Sequence, residues 1–197
     1  MTGATVVKVG GSLAESDAAA ELMRALAARR PPRVVVVPGG GDFADAVRLT
    51  GQRHPIGAQA THHMALLAMH MSAVMLAAFA PGYVVAETPG EFDAAWERDL
   101  TPIWAPERMV LAAPDVPASW DVTSDSLAAW LAAAIAASNL VLVKSCPVPA
   151  AIDGDVAALA AAGIVDPSFP GFVAGAGLPW QVVSGAAAAL RALDGLG

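Results

Sequence analysis

Two short apolar runs near the start of the chain, Ala4 to Val9 and Arg33 to Val37, constrain its fold more than any other feature. Both are dominated by β-branched residues, and they are apolar at successive positions instead of alternating with polar ones. Strands of that kind are covered on both faces, as in a parallel sheet held between helices. The segment between them, Ser16 to Arg29, has a helical pattern. Ser16 or Asp17 can cap it, Leu22, Met23 and Leu26 supply an apolar stripe, and Pro31-Pro32 stops it. Strand, helix and strand in this span make one βαβ unit, with parallel pairing and a right-handed crossover.

The same alternation continues. Gly41 to Leu49 reads as a second helix with Phe43, Ala44 and Val47 inward, followed by a long helix from Ala58 to Phe79. In the long helix Met64, Leu67, Met71, Val74 and Met75 fall near helical spacing and are expected in the core. Val84 to Ala86 is expected as a strand, Glu91 to Glu97 as a short helix, and Pro102 to Pro117 as a proline-punctuated stretch with short strands. Thr123 to Ala137 forms a helix capped by Thr123 or Ser124, leading through Ser138-Asn139 into the strand Leu140 to Val143. Two Ala-rich helical pieces, a strand from Trp180 to Val183 and a helix after Gly185 complete the chain. No repeat or disordered linker interrupts it. The pattern is α/β with a mainly parallel sheet, and 197 residues suit one domain, 1–197.

Composition removes several classes of function. Hydrophobic residues make up 56% of the chain and charged ones 15%, which raises the question of a membrane. The apolar stretch Met64 to Ala80 contains His70 and Ser72, and Leu127 to Val143 is broken by Ser138-Asn139. Both are short for a span of roughly 20 residues, so they read as a buried helix and as a helix running into a strand. The apolar excess also points to an interface between copies, hence a homo-oligomer. A net charge of −7 argues against a nucleic-acid surface, which needs a basic footprint. One cysteine, Cys146, and no signal-like start exclude a disulfide scaffold and favour a cytoplasmic setting.

The cations are unevenly distributed. Only Lys8 and Lys144 are lysines among 11 basic residues, and each ends an apolar β-branched run. A compact ammonium at two strand ends, in a chain that otherwise uses arginine, indicates a specific task. Two glycine-rich turns, Gly10-Gly11-Ser12 and Gly39-Gly40-Gly41, follow the first two strands. In a parallel sheet both lie at the carboxyl edge, where glycine backbone and helix-start amides can hold phosphate. Neither turn fits a Walker loop or G-x-G-x-x-G. A third segment, Asp121-Val122-Thr123-Ser124-Asp125, gathers carboxylates and hydroxyls at a helix start. If the fold brings Asp125 beside Lys8, the carboxylate orients the ammonium toward a phosphoryl group in transfer.

Together these segments resemble the amino-acid kinase superfamily, in which a K-x-G-G-S strand end, a G-G-G turn and a T-x-D-x-x-A helix start form the phosphoryl-transfer site. Here they read Lys8-Val9-Gly10-Gly11-Ser12, Pro38-Gly39-Gly40-Gly41 and Thr123-Ser124-Asp125-Ser126-Leu127-Ala128. The text from Val35 to Arg48, Thr61 to Ala65 and Ser119 to Leu127 is most similar to the aminomethylfuranyl-methyl phosphate kinase branch of methanofuran biosynthesis. The resemblance implies a three-layer αβα sandwich and an ATP- and Mg²⁺-dependent kinase whose metal is held mainly by phosphates. It implies that Lys8 stabilises the transferring phosphoryl and that Asp125 positions Lys8. Gly10, Gly11 and Ser12 would serve the donor phosphates, and Lys144 is a candidate to join them on the residue reading alone. Gly39, Gly40, Gly41, His62, Thr123 and Ser124 would serve a small phosphorylated acceptor, which becomes a diphosphate.

Two segments depart from that pattern. After Lys144 the chain runs Ser145-Cys146-Pro147-Val148-Pro149-Ala150, where relatives carry a T-D-V-D-G-I-Y-like border to the adenine site. Near the end, Ser184-Gly185-Ala186 stands for an N-G-R-H-P-like turn. Lys144 either replaces a lost cation or merely ends a strand. The alternatives are therefore a non-catalytic ligand-binding or assembly protein on the kinase scaffold, or a kinase for another acceptor. His63 and His70 are seven apart without a third ligand, so no metal site is expected. Asp42 either repels phosphate or grips an amine or hydroxyl of the acceptor.

Overall fold

The structure, a computed structural model, describes residues 3–13 and 16–195. Its first strand, β1 (Thr5–Val9), is followed by a 3₁₀ turn (Gly11–Leu13), α1 (Asp17–Arg29), β2 (Val34–Pro38), α2 (Gly41–Arg53) and α3 (Ala58–Ala78). Then come β3 (Tyr83–Ala86), α4 (Pro89–Trp96), β4 (Thr101–Trp104), α5 (Glu107–Leu111) and α6 (Ser124–Ala134). The chain continues with β5 (Asn139–Lys144), α7 (Val156–Ala161), α8 (Phe169–Ala176), β6 (Trp180–Ser184) and α9 (Gly185–Asp194). The strands form one six-stranded sheet in the order β3-β4-β2-β1-β5-β6, and every pairing is parallel.

Strand alternation divides the core. Val6, Val35, Val37, Leu140 and Leu142 point to the face covered by α6 and α8, where Leu127, Leu131, Phe169 and Val173 are buried. Val7, Val9, Val34, Val36, Val141 and Val143 point to the other face, against Leu22, Met23 and Leu26 of α1 and Ala189 and Leu193 of α9. Helices therefore lie on both faces, as the continuously apolar strands required. In α1 the Ser16 Oγ accepts from the Ala18 N–H, and the helix ends at Arg30 in the left-handed conformation, φ 47°.

The connections also create a crevice. From β1 the chain passes through α1 on one face to β2, whereas from β5 it passes through α7 and α8 on the other face to β6. Since β1 and β5 are neighbours, the chain leaves their carboxyl ends in opposite directions, which opens the space where ligands bind in such sheets.

Two expectations are corrected. The stretch from Pro102 to Pro117 holds one strand, β4, and then the helix α5, with Pro106 at the position before its first turn. That site tolerates proline because the N–H there has no helical partner to lose. The predicted core stripe of α3 is largely outside: Leu67, Met71 and Val74 are 41%, 48% and 55% exposed. The helix packs instead through Leu66, Met69, Ala73 and Leu76. Both stripes have helical spacing, so periodicity alone does not choose between them. No helix among the described residues is long and apolar enough to cross a membrane.

Candidate active site

Strand geometry brings the two lysines together. Lys8 has the parity of Val6 and therefore points to the α6 side of the sheet; on β5, Lys144 has the parity of Leu140 and Leu142 and points the same way. Lys8 pairs in register with Leu142, which leaves Lys144 two residues further along the adjacent strand. Asp125, in the first turn of α6, lies between the two ammoniums. Lys8 Nζ is 2.9 Å from its Oδ1 and Lys144 Nζ is 2.6 Å from its Oδ2. The Asp166 N–H also donates to Oδ2, at 3.3 Å. The Lys8 ammonium sits off the hydrogen-bond direction of Oδ1, so that contact is an ion pair without an aligned hydrogen bond.

All three side chains are nearly or largely buried, at 5%, 4% and 12% exposure for Lys8, Asp125 and Lys144. Burial acts to raise the Asp125 pKa, but the opposing pull of Lys8 and Lys144 outweighs it and holds the carboxyl below its ordinary value. Burial, then repulsion from Lys8, pushes Lys144 down to about 8 despite its contact with Asp125. With both lysines protonated the cluster carries one positive charge more than its carboxylate neutralises. An anion entering the crevice would balance it.

The glycine turns meet each other. A Cβ on Gly11 would stand 2.5 Å from the Gly41 backbone nitrogen, and one on Gly39 would stand 2.2 Å from that of Gly11. Gly41 itself has φ 50°. These glycines are therefore required by the close approach of the two turns as well as by any ligand. The Ser12 and Ser145 hydroxyls are 2.7 Å apart and join the first turn to the segment after β5.

Beside the turns lies a cavity of about 280 Å³. Gly11, Ser12, Gly40, Gly41, Thr123 and Ser124 line one part, and Ala65, Leu66, Met69 and Leu127 give it apolar walls. The remaining polar lining comes mainly from Asp45, Arg48, His62 and Trp120. Arg48 donates to Asp45 Oδ1 at 2.8 Å, and its guanidinium lies 4.5 Å over the Trp120 ring. Burial, then the adjacent His63, lowers the His62 pKa below its ordinary value.

Of the sequence-derived site residues, Lys8, Asp125 and Lys144 form the charge cluster. Ser12, Gly11, Gly40, Gly41, His62, Thr123 and Ser124 line the cavity. Gly10 and Gly39 lie behind them, packed on Val143 and Gly11. Asp42 is absent from the cavity lining; the carboxylate there is Asp45. His63 turns away to Glu107, 2.6 Å from its Oε1. Cys146 is an exposed free thiol. Among the described residues no cluster of three His, Cys, Asp or Glu could hold a metal.

Asp166 was not anticipated. Its Oδ2 accepts the N–H groups of Thr123 and Ser126 and the Thr123 hydroxyl, and its Oδ1 accepts the Ser126 hydroxyl and the N–H groups of Ser168 and Phe169. It thus caps the starts of both α6 and α8, where Thr123 or Ser124 was expected to cap α6 alone. With that carboxylate seated on the α6 terminus, the dipole there is already complemented, and the positive charge left for a ligand is on the lysines. The signal for Asp166 was only a lone acidic residue before Pro167, some 40 positions from its partners.

The fold is a parallel αβα sandwich that places two buried ammoniums and paired glycine turns at one strand-end crevice. The chain is a member of the amino acid kinase family, whose model matches residues 3–147, a span that includes the whole charge cluster. The [5-(aminomethyl)furan-3-yl]methyl phosphate kinase of Methanocaldococcus jannaschii is 31% identical over 130 residues, 64% of this chain and 58% of that protein. The chain thus spans a little over half the length of that relative. The uridylate kinase of Archaeoglobus fulgidus has the same fold, with a TM-score of 0.72 at 16% identity over 98% of this chain and 96% of that one. The aspartate kinase of Synechocystis superposes with a TM-score of 0.64 at 17% identity, over 91% of this chain and 37% of that one.

Proposed function

We propose that the protein is a kinase that transfers the γ-phosphoryl of ATP to a small phosphorylated acceptor. The acceptor is [5-(aminomethyl)furan-3-yl]methyl phosphate or a close analogue, and the product is its diphosphate, an intermediate of a methanofuran-type C1 carrier. The observation that carries this reading is the Lys8–Asp125–Lys144 cluster, with its uncompensated positive charge, beside a cavity reached by both glycine turns.

In the transfer, an oxygen of the acceptor phosphate forms a bond to the γ-phosphorus as the bond from that phosphorus to the β–γ bridging oxygen breaks, and ADP leaves with the electron pair. Little covalent chemistry falls to the protein, so catalysis is positioning and charge neutralisation. Lys8, steadied by Asp125, follows the negative charge on the transferring group. Lys144 meets the donor phosphates, and Gly10, Gly11 and Ser12 hold the donor side against Gly39, Gly40 and Gly41 on the acceptor side. His62 and Ser124 contribute polar groups to the acceptor, with Thr123 at the same wall. The donor set fits Mg²⁺ bound through ATP: Asp125 is occupied by two ammoniums, so the metal's oxygen ligands come mainly from phosphate. Bound there, Mg²⁺ would neutralise charge on the β- and γ-phosphates.

We further read residues 1–197 as one cytoplasmic domain that pairs with a second copy through the exposed Leu67, Met71 and Val74 stripe of α3. A second functional reading, a ligand-binding protein without catalysis, draws on the exposed Ser145-Cys146-Pro147 segment, which gives a nucleotide base little to rest on. ADP release separates the two. With ATP, Mg²⁺ and the furanyl-methyl phosphate, a kinase forms ADP only when acceptor is present. Acceptor binding by calorimetry with no ADP formed would establish the non-catalytic reading instead, and turnover with UMP alone would reassign the acceptor.

A further inference from the structure

The polar rim of the cavity is built along one face of α2. Gly41, Ala44, Asp45 and Arg48 recur at helical spacing and all line the cavity. At 1.5 Å per residue, Asp45 stands about 6 Å and Arg48 about 10 Å along the axis from the glycine turn at Gly41. Asp45 is the only carboxylate among the described cavity-lining residues. Arg48 engages Asp45 through Oδ1 alone and is itself anchored over Trp120. Oδ2 therefore has no protein partner among the described residues. The lining also holds the Arg48 cation, directed to Oδ1 and the Trp120 face, and His62, whose pKa is lowered by burial and by His63.

We propose that Asp45 is the specificity residue for a cationic acceptor: its open Oδ2 receives an ammonium carried by the acceptor, while the acceptor's phosphate sits about one helical turn away at Gly40–Gly41. This rests on the kinase reading above and deepens it, since it names the chemistry of the acceptor's far end. A small ring with phosphate on one arm and an aminomethyl group on the other matches the separation of the two positions. The Arg48–Trp120 stack ties α2 to the 118–122 loop and fixes the direction of the Asp45 side chain. An uncharged ring-methyl phosphate leaves Asp45 with Arg48 alone and forgoes a charge-assisted hydrogen bond.

The test compares two acceptors, [5-(aminomethyl)furan-3-yl]methyl phosphate and the amine-free (5-methylfuran-3-yl)methyl phosphate, by kcat/KM for ADP release. Wild type is expected to favour the aminated acceptor by about 3- to 5-fold, the range for an ion pair at an exposed site. In Asp45→Asn the preference falls toward unity, chiefly through KM for the aminated acceptor, and Asp45→Glu recovers part of it. Asp45 is largely exposed, so a thermal melt of each variant checks that the fold is kept. Asp45→Asn retaining the full preference, or wild type showing none, overturns the proposal while turnover leaves the kinase reading standing. Transfer to neither acceptor by wild type removes the aminomethylfuranyl acceptor and this proposal with it, whereas the kinase reading falls only if UMP and other phosphorylated acceptors also yield no ADP.

Discussion

The two ends of the crevice hold charge in opposite ways. At the inner end, three ionised groups are removed from water with an excess of one positive charge. At the outer end, the Asp45–Arg48 pair is neutral as a unit, with side chains 58% and 47% exposed, and leans on the face of Trp120. A buried ion costs several kcal/mol to desolvate and interacts strongly with whatever enters, whereas an exposed pair is worth ~1 kcal/mol or less. The inner end is thus suited to stabilising a transferring phosphoryl, and the outer end to telling one acceptor from another at little cost in stability.

The sharpest way to break this contrast is Asp125→Ala. It leaves two ammoniums facing each other in a dry site, and the expected loss is about 3–5 kcal/mol of stability, the range for removing one partner of a buried pair. Urea denaturation would measure it, and a loss below about 1 kcal/mol would show that the cluster is hydrated. Lys144→Met has the opposite sign for stability, because it leaves the Lys8–Asp125 pair balanced. Its expected effect on catalysis is a roughly 10- to 100-fold lower kcat/KM for ATP, consistent with one lost charge-assisted contact.

The pH dependence gives a second handle on Lys144. Its folded pKa, about 8, lies below the ordinary value of 10.5. Below pH 8 the ammonium is charged in both states, and the folded state bears its desolvation cost. As pH rises from 8, the folded protein loses that proton first while the unfolded chain keeps it, so stability rises toward pH 10 by up to about 3 kcal/mol. Above pH 10 the half-buried Tyr83 phenol, whose pKa is raised by its partial burial, works the other way. The rise between pH 8 and 10 is expected in chemical denaturation of wild type and absent in Lys144→Met. The smallest effect belongs to the rim: Arg48→Ala should change stability by no more than ~1 kcal/mol in the same assay, and a larger loss would mean that the Trp120 stack holds the 118–122 loop in place.

Much of the inner site was legible in the sequence. Continuously apolar strands fixed a parallel sheet, the glycine turns had to fall at its carboxyl edge, and an acidic helix start was a natural partner for Lys8. Lys144 was readable as well, since its parity with Leu140 and Leu142 aims it at the same face as Lys8, but that step also needs the β1–β5 register. What stayed hidden depends on contacts between distant segments. Asp166 reaches α6 from some 40 residues away, and Trp120 meets Arg48 across a loop whose path no periodicity describes. The exposed stripe of α3 was misread because the helix is apolar on two faces, and only packing decides which one turns inward.

The most direct measurement follows the phosphoryl group itself by ³¹P NMR, with ATP, Mg²⁺ and the aminated furanyl-methyl phosphate, in wild type and Lys8→Met. Wild type should convert the acceptor's single phosphate resonance into the coupled pair of a diphosphate in step with ADP. Lys8→Met, still folded by circular dichroism, should do so about 10³-fold more slowly or below detection, as for loss of a central charge-stabilising group. Diphosphate formed at the wild-type rate by Lys8→Met would contradict the assignment of phosphoryl transfer to the buried lysine cluster.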